Sequence, residues 1–171
     1  INRGLVFCNT PDYGTDEVSD TALAMMLSLL RGVFAYDVFS RGYSDTWQEN
    51  TIAKLRRISG LTLGVVGAGR IGTALMRKAK ALGMNIIFYD PYKDSGYEKA
   101  IGVSRCYDLS EFLAQCDVVS MHTPLTPETQ AMVDKSFIDS MKQGSILINS
   151  SRGEVVKDLD VVYKALKSEK L

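Results

Sequence analysis

Hydrophobic and polar positions in this chain follow two periods that take turns. Short apolar runs rich in valine and isoleucine occupy residues 62–66, 85–89, 117–122 and 145–149, each bounded by glycine or polar residues, and read as buried strands. Between them, apolar residues recur three and four apart over residues 70–82, 108–116, 134–142 and 158–167, the period of a helix with one buried face. The ends of these stretches are punctuated. Gly83 follows the first helix as a C-terminal cap, and Gly144 stops the third. Asp108-Leu109-Ser110-Glu111 opens the second like a capping box, with Leu109, Phe112, Leu113 and Cys116 on one face. In the last helix Leu159, Val162 and Leu166 are expected to point inward. A weaker element at 97–100 and a short strand near Val103 complete the alternation. Strand and helix in turn predict an α/β fold with a parallel sheet.

The first sixty residues follow a different plan. Residues 5–8 read as a short strand or extended lead-in, and residues 9–14 as a loop. Thr15 is placed to cap a helix, with Asp16 and Glu17 near its positive end. That helix is apolar on two sides: Val18, Ala22, Met25 and Leu29 on one, Leu23, Met26, Leu30 and Phe34 on the other. Two readings fit: an ordinary core helix, or one packed both on its own sheet and on a second subunit, making a homodimer. Residues 42–59 form a polar connector, its Trp47 read as a packing anchor. The 171 residues suit one domain, with 1–60 as lead-in and interface helix and 61–171 as its core.

Composition narrows the partners. Twenty basic and twenty acidic side chains cancel with no dense run of either sign, which argues against a nucleic-acid surface. The longest apolar run, 22–30, is shorter than the ~20 residues of a membrane span. Cys8, Cys106 and Cys116 lack metal-ligand spacing and predict buried free thiols in a reducing, cytoplasmic compartment. The chain begins at Ile1 rather than Met, which is expected of a chain that is processed, partly given or excised from something longer.

The chemistry begins at Gly67-Ala68-Gly69-Arg70-Ile71-Gly72, a G-x-G-x-x-G directly after a predicted strand and at the start of a helix. In that context the pattern is informative. Gly67 permits a tight turn, Gly69 leaves the backbone bare for a pyrophosphate, and Gly72 lets helix and strand approach; N–H groups near Arg70 and Ile71 would face the phosphates. The competing reading is a plain strand-to-helix turn. Asp90 ends the second strand near the offset expected of an acid that accepts hydrogen bonds from two ribose hydroxyls, and it would repel the extra phosphate of NADP. It therefore predicts NAD; alternatively it caps the turn before Pro91. Together these features predict a Rossmann-type doubly wound sheet, ordered 3-2-1-4-5-6, cut before its later strands. Ligands of such sheets bind where the strand order reverses, so the loops after residues 122 and 149 are implicated. The latter carries Arg152, suited to a carboxylate or else a solvated surface arginine.

Four ordered stretches, Val65-Val66-Gly67-Ala68-Gly69-Arg70-Ile71-Gly72, Phe88-Tyr89-Asp90-Pro91-Tyr92, His122-Thr123-Pro124-Leu125-Thr126-Pro127-Glu128-Thr129 and Ile148-Asn149-Ser150-Ser151-Arg152-Gly153, resemble the D-isomer-specific 2-hydroxyacid dehydrogenases. Tyr89-Asp90-Pro91-Tyr92 is similar to the C-terminal-binding-protein branch of that family. The resemblance implies NAD as cofactor and a 2-hydroxy or 2-oxo acid as substrate. It matches Gly69, Arg70 and Ile71 to the pyrophosphate loop and Asp90 to the ribose acid. It sets Thr123, Pro124 and Thr129 beside adenosine and pyrophosphate, and Ser150, Ser151 and Arg152 beneath the nicotinamide. Arg152 also matches the catalytic arginine that grips the substrate. The family's acid/base histidine and glutamate, and its substrate domain, are missing, and His122 reads as structural. The resemblance thus implies the cofactor-holding part of an enzyme, the alternative being an NAD-sensing co-repressor-type module.

Overall fold

The computed structural model describes residues 4, 6, 8–42 and 55–171; half of the lead-in expected at 5–8 and most of the connector with Trp47 lie outside the described residues. One parallel sheet contains β1 (Thr62–Val66), β2 (Asn85–Tyr89), β3 (Ser104–Arg105), β4 (Val118–Met121) and β5 (Ile146–Asn149). Their spatial order is β3-β2-β1-β4-β5, the doubly wound order as far as five strands carry it. Among the described residues seven α-helices accompany them: α1 (Thr15–Arg31), α2 (Val33–Arg41), α3 (Arg70–Ala81), α4 (Tyr97–Ile101), α5 (Leu109–Gln115), α6 (Lys135–Ser140) and α7 (Leu159–Lys167).

Alternation along each strand divides the core into two layers. Leu63 and Val65 of β1, with Ile86 and Phe88 of β2, pack under Ala22, Met26 and Leu30 of α1 and Leu75, Met76 and Ala79 of α3. Val66, Ile87, Val119 and Met121 face the other way, onto Phe112 and Leu113 of α5, Phe137 and Ile138 of α6 and Ala165 of α7. Three helices begin with an aspartate whose carboxylate accepts a backbone N–H in the first turn: Asp108 from Glu111, Asp134 from Phe137 and Asp158 from Val161. Gly64 marks a point of very close packing; a Cβ there would lie 2.2 Å from the Cys116 Sγ.

Asp117, just before β4, ties the lower end of the sheet together. Its Oδ2 accepts the Thr62 N–H at 2.8 Å. Its Oδ1 accepts from Arg56 at 2.9 Å and Lys142 at 3.3 Å. Burial pushes this carboxyl upward, but the Thr62 N–H, Arg56 and Lys142 outweigh it and hold the group below the usual carboxylate range.

Several expectations need correction. The first helix does not run straight from Thr15 to Phe34. Gly32 takes a left-handed conformation, φ 64°, and α2 continues after a 66° bend. Gly14, not Thr15, occupies the N-cap, and it offers no side-chain bond. A single stripe of α1 is buried, Ser19, Ala22, Met26 and Leu30, while Met25, Leu29, Val33, Phe34 and Val38 are exposed. Of the residues expected inward in α7, Val162 packs on the core, but Leu159 and Leu166 are exposed, and Ala165 and Val161 pack in their place. Of the cysteines only Cys116 is buried; Cys8 is exposed. Burial pushes the Cys116 thiol up to about 12, so it stays protonated. Among the described residues no single helix is long and apolar enough to cross a membrane.

Candidate functional site

The carboxyl ends of β1, β2, β4 and β5 open onto two adjoining cavities. The first, about 570 Å³, lies among Gly67, Gly69, Asp90, Thr123, Pro124 and Thr129. The second, about 720 Å³, includes Arg70, Ile71, Ser150, Ser151 and Arg152, and shares Gly69, Thr123 and Pro124 with the first. Every residue singled out from the sequence therefore lines this crevice except Gly72, which lies beneath it.

The glycine loop is shaped by three different constraints. Gly67 has φ 92°, and a Cβ there would sit 2.8 Å from the His122 carbonyl oxygen. A Cβ on Gly72 would come within 2.1 Å of the Gly67 oxygen, so α3 reaches this close to β1 only because the position is bare. Over Gly69 there is open space, and the bare backbone there faces the cavities. Unlike α5, α6 and α7, α3 starts with no side-chain cap. Its first N–H groups are left for something else, and the positive end of the helix favours an anion there.

Asp90 does two jobs at the end of β2. Its Oδ2 accepts the Ala68 N–H at 2.8 Å, which fixes the glycine loop, and its Oδ1 accepts the Tyr92 N–H at 2.9 Å, which caps the following turn. Each carboxylate oxygen keeps a further lone pair toward the cavity. The two readings of this residue are thus compatible. Arg105 braces the same turn by donating to the backbone oxygens of Asp90, at 2.7 Å, and Asp94.

The loop after β4 is stiffened from within. The Thr129 hydroxyl donates to the Pro124 oxygen at 2.6 Å and accepts the Thr126 N–H at 2.8 Å, so it shapes the wall rather than reaching outward. Residues 127–131 form turns. By contrast the Thr123 Oγ1 is buried without a hydrogen-bond partner. A buried hydroxyl with no partner is costly, and this one borders both cavities. Bare Gly69, the uncapped helix and this hydroxyl together fit a phosphate-bearing dinucleotide.

His122 reaches Ser120 Oγ through Nε2 at 2.8 Å and Ser150 Oγ through Nδ1 at 3.4 Å. Burial lowers its pKa to about 4, so the imidazole is neutral near pH 7 and bridges β4 to the loop after β5. In that loop Asn149 acts as a staple: its Oδ1 accepts the Ser151 N–H at 3.0 Å and hydroxyl at 2.7 Å, while its Nδ2 donates to the Arg152 oxygen. The stapled backbone leaves the Arg152 side chain exposed at the second cavity.

The lead-in loop was not legible as part of this crevice. Asn9 to Gly14 line the second cavity, and Asp12 pairs with Arg70 at 2.7 Å. No local pattern links these residues to a glycine loop more than fifty positions later. Tyr92 and Glu128 also line the first cavity without having been singled out.

Residues 23–171 match the family model described as D-isomer specific 2-hydroxyacid dehydrogenase, NAD binding domain. The chain is 39% identical over 167 residues to a glyoxylate reductase of Korarchaeum cryptofilum, covering 96% of this chain and 49% of that protein. It is 31% identical to C-terminal-binding protein 1 of Caenorhabditis elegans, covering 92% of this chain and 22% of the relative. A D-lactate dehydrogenase of Aquifex aeolicus, solved with NAD and lactic acid, superposes with a TM-score of 0.86 at 32% identity, over 99% of this chain and 50% of that one. The chain spans about half the length of the reductase and of the lactate dehydrogenase.

Proposed function

This chain belongs to the D-isomer-specific 2-hydroxyacid dehydrogenase family, as its NAD-binding domain, and on that premise we propose that it holds NAD for hydride transfer to or from a 2-hydroxy or 2-oxo acid. The observation that carries the reading is the bare, uncapped glycine loop beside a strand-end carboxylate, Asp90. NAD, when bound, supplies or accepts the hydride. The residues of the chain bind and orient it. Gly69, Arg70 and Ile71 hold the pyrophosphate by backbone N–H groups, Gly67 makes the turn that presents them while its own N–H is spent on the Tyr89 oxygen, and Gly72 keeps α3 close enough for them to reach. Asp90 accepts hydrogen bonds from the ribose hydroxyls, and Thr123 offers the cofactor its unpartnered hydroxyl. Pro124 and Thr129 form the wall beside adenosine, and Ser150 and Ser151 the floor beneath the nicotinamide.

Arg152 takes the substrate. Its guanidinium does not titrate, matches a carboxylate bidentately, and stabilises negative charge that develops on the 2-oxygen. His122 stays out of proton transfer, because it is held neutral between two serines. It is the single histidine of the 171 residues, so this chain by itself is expected to turn over no 2-oxo acid. NADH oxidation by the purified chain is the check. The exposed apolar residues Met25, Leu29, Phe34 and Val38 support a homodimer through α1 and α2, and the buried, protonated Cys116 suits a reducing cytoplasm.

Calorimetric titration tests the cofactor reading. The chain should prefer NAD to NADP. Asp90→Ala should weaken NAD roughly tenfold or more, the loss expected of charge-assisted hydrogen bonds, and should narrow the preference. An unchanged ratio would remove Asp90 from the ribose.

A further inference from the structure

The rim of the Asp90 cavity carries a second acid. Tyr92 follows β2 and Glu128 lies in the loop after β4, so β1 runs between the elements that carry them. Tyr92 nevertheless joins the two loops. Its N–H donates to Asp90 Oδ1 at 2.9 Å, and its hydroxyl donates to Glu128 Oε2. The two carboxylates therefore sit one tyrosine apart, and all three side chains line the same cavity.

No lysine or arginine is among the lining residues, and His122 is neutral there. Arg105 approaches Asp90, but it donates to backbone oxygens, lies over the Tyr107 ring, and does not line the cavity. The adenosine end thus presents two negative charges and no compensating cation. A 2′-phosphate brings up to about two more negative charges.

We propose that Glu128, held at the cavity rim by Tyr92, is a second specificity carboxylate that acts with Asp90 to exclude a 2′-phosphorylated dinucleotide. The inference rests on reading this cavity as the adenosine end of the NAD site. A glutamate free to swing into solvent would be screened and would discriminate little. The tyrosine bond restricts that freedom at an exposed rim, so Tyr92 is a positioning residue and Glu128 carries the charge. The Tyr92 hydroxyl is protonated at neutral pH in any case, and the same bond raises it further above its ordinary range.

The test is fluorescence titration of the chain with NADH and with NADPH. Glu128→Gln should raise the affinity for NADPH relative to NADH about fivefold, and Tyr92→Phe about threefold, the scale of one exposed charge interaction. The double variant should do no more than Glu128→Gln alone, because the tyrosine acts through the carboxylate. The gain should shrink at high salt, which a packing defect would not show. A ratio unchanged in Glu128→Gln, while Asp90→Ala still shifts it, overturns the inference and leaves the cofactor reading standing. A ratio unmoved by Asp90→Ala as well overturns that reading and the inference with it.

Discussion

His122 offers a clean test of how this site is built, because no other histidine is present to confuse the signal. Its native pKa, about 4, lies below the ordinary 6.5 because burial penalises the charged ring. Between those values the unfolded chain takes up a proton that the native state refuses. Stability contributed by His122 is therefore complete above pH 6.5, falls as the pH drops toward 4, and falls no further below that. At pH 5 the loss relative to pH 8 should be about 1–2 kcal/mol, after allowance for the partial exposure of the ring. Urea unfolding at both pH values measures it, with His122→Gln as the reference. The variant should lose less stability between pH 8 and pH 5 by that amount. Asp108 and Asp117 act in the same direction, but both are held below the usual carboxylate range, so their contribution is lost mainly at lower pH and cancels in the comparison. Proton NMR of the lone imidazole supplies the direct reading. A native ring that titrates near pH 6.5, or equal losses in both proteins, would refute the reasoning and reopen the question of an acid/base role.

Gly64→Ala should cost about 1–3 kcal/mol by overpacking, since its Cβ would meet the Cys116 Sγ at 2.2 Å and the Phe112 ring at 2.7 Å; adding Cys116→Ala should recover part of that in thermal unfolding. Asp117→Ala should destabilise by about 2–4 kcal/mol in urea, because Arg56, Lys142 and the Thr62 N–H lose one shared acceptor. Sedimentation should find the chain self-associated, and Phe34→Asp with Val38→Asp should shift it toward monomer; a monomeric parent at high concentration would count against the α1–α2 face as an interface.

Much of the core is local and therefore legible. Strands 62–66, 85–89 and 145–149 announce themselves because their central residues, covered by helices on both faces of a parallel sheet, form short apolar runs. Gly67, Gly69 and Gly72 are readable for a related reason: a turn from strand to helix packed this closely admits no side chain. Asp108, Asp134 and Asp158 mark helix starts because their carboxylates serve N–H groups only three residues away. Periodicity failed where it allowed two answers. In α7 the stripes through Leu159 and Leu166 and through Val161 and Ala165 are both apolar, and only the way the helix joins the core layer of Phe137 and Ile138 chose the second. On α1 the same ambiguity was decided by contact with α3 and β5, and Gly32 ended the helix before Phe34 could join either face.

The sequence by itself determined the sheet, its glycine loop and the acid at the end of β2, because each depends on neighbours within a turn or a strand. Tertiary structure alone decided what surrounds them. It set Asp12 against Arg70, joined Tyr92 to Glu128, buried His122 between Ser120 and Ser150, and bonded the Asp90 carboxylate to Ala68. Those pairings join residues up to 58 positions apart, and they exist only because parallel strands deliver distant loops to one end of the sheet.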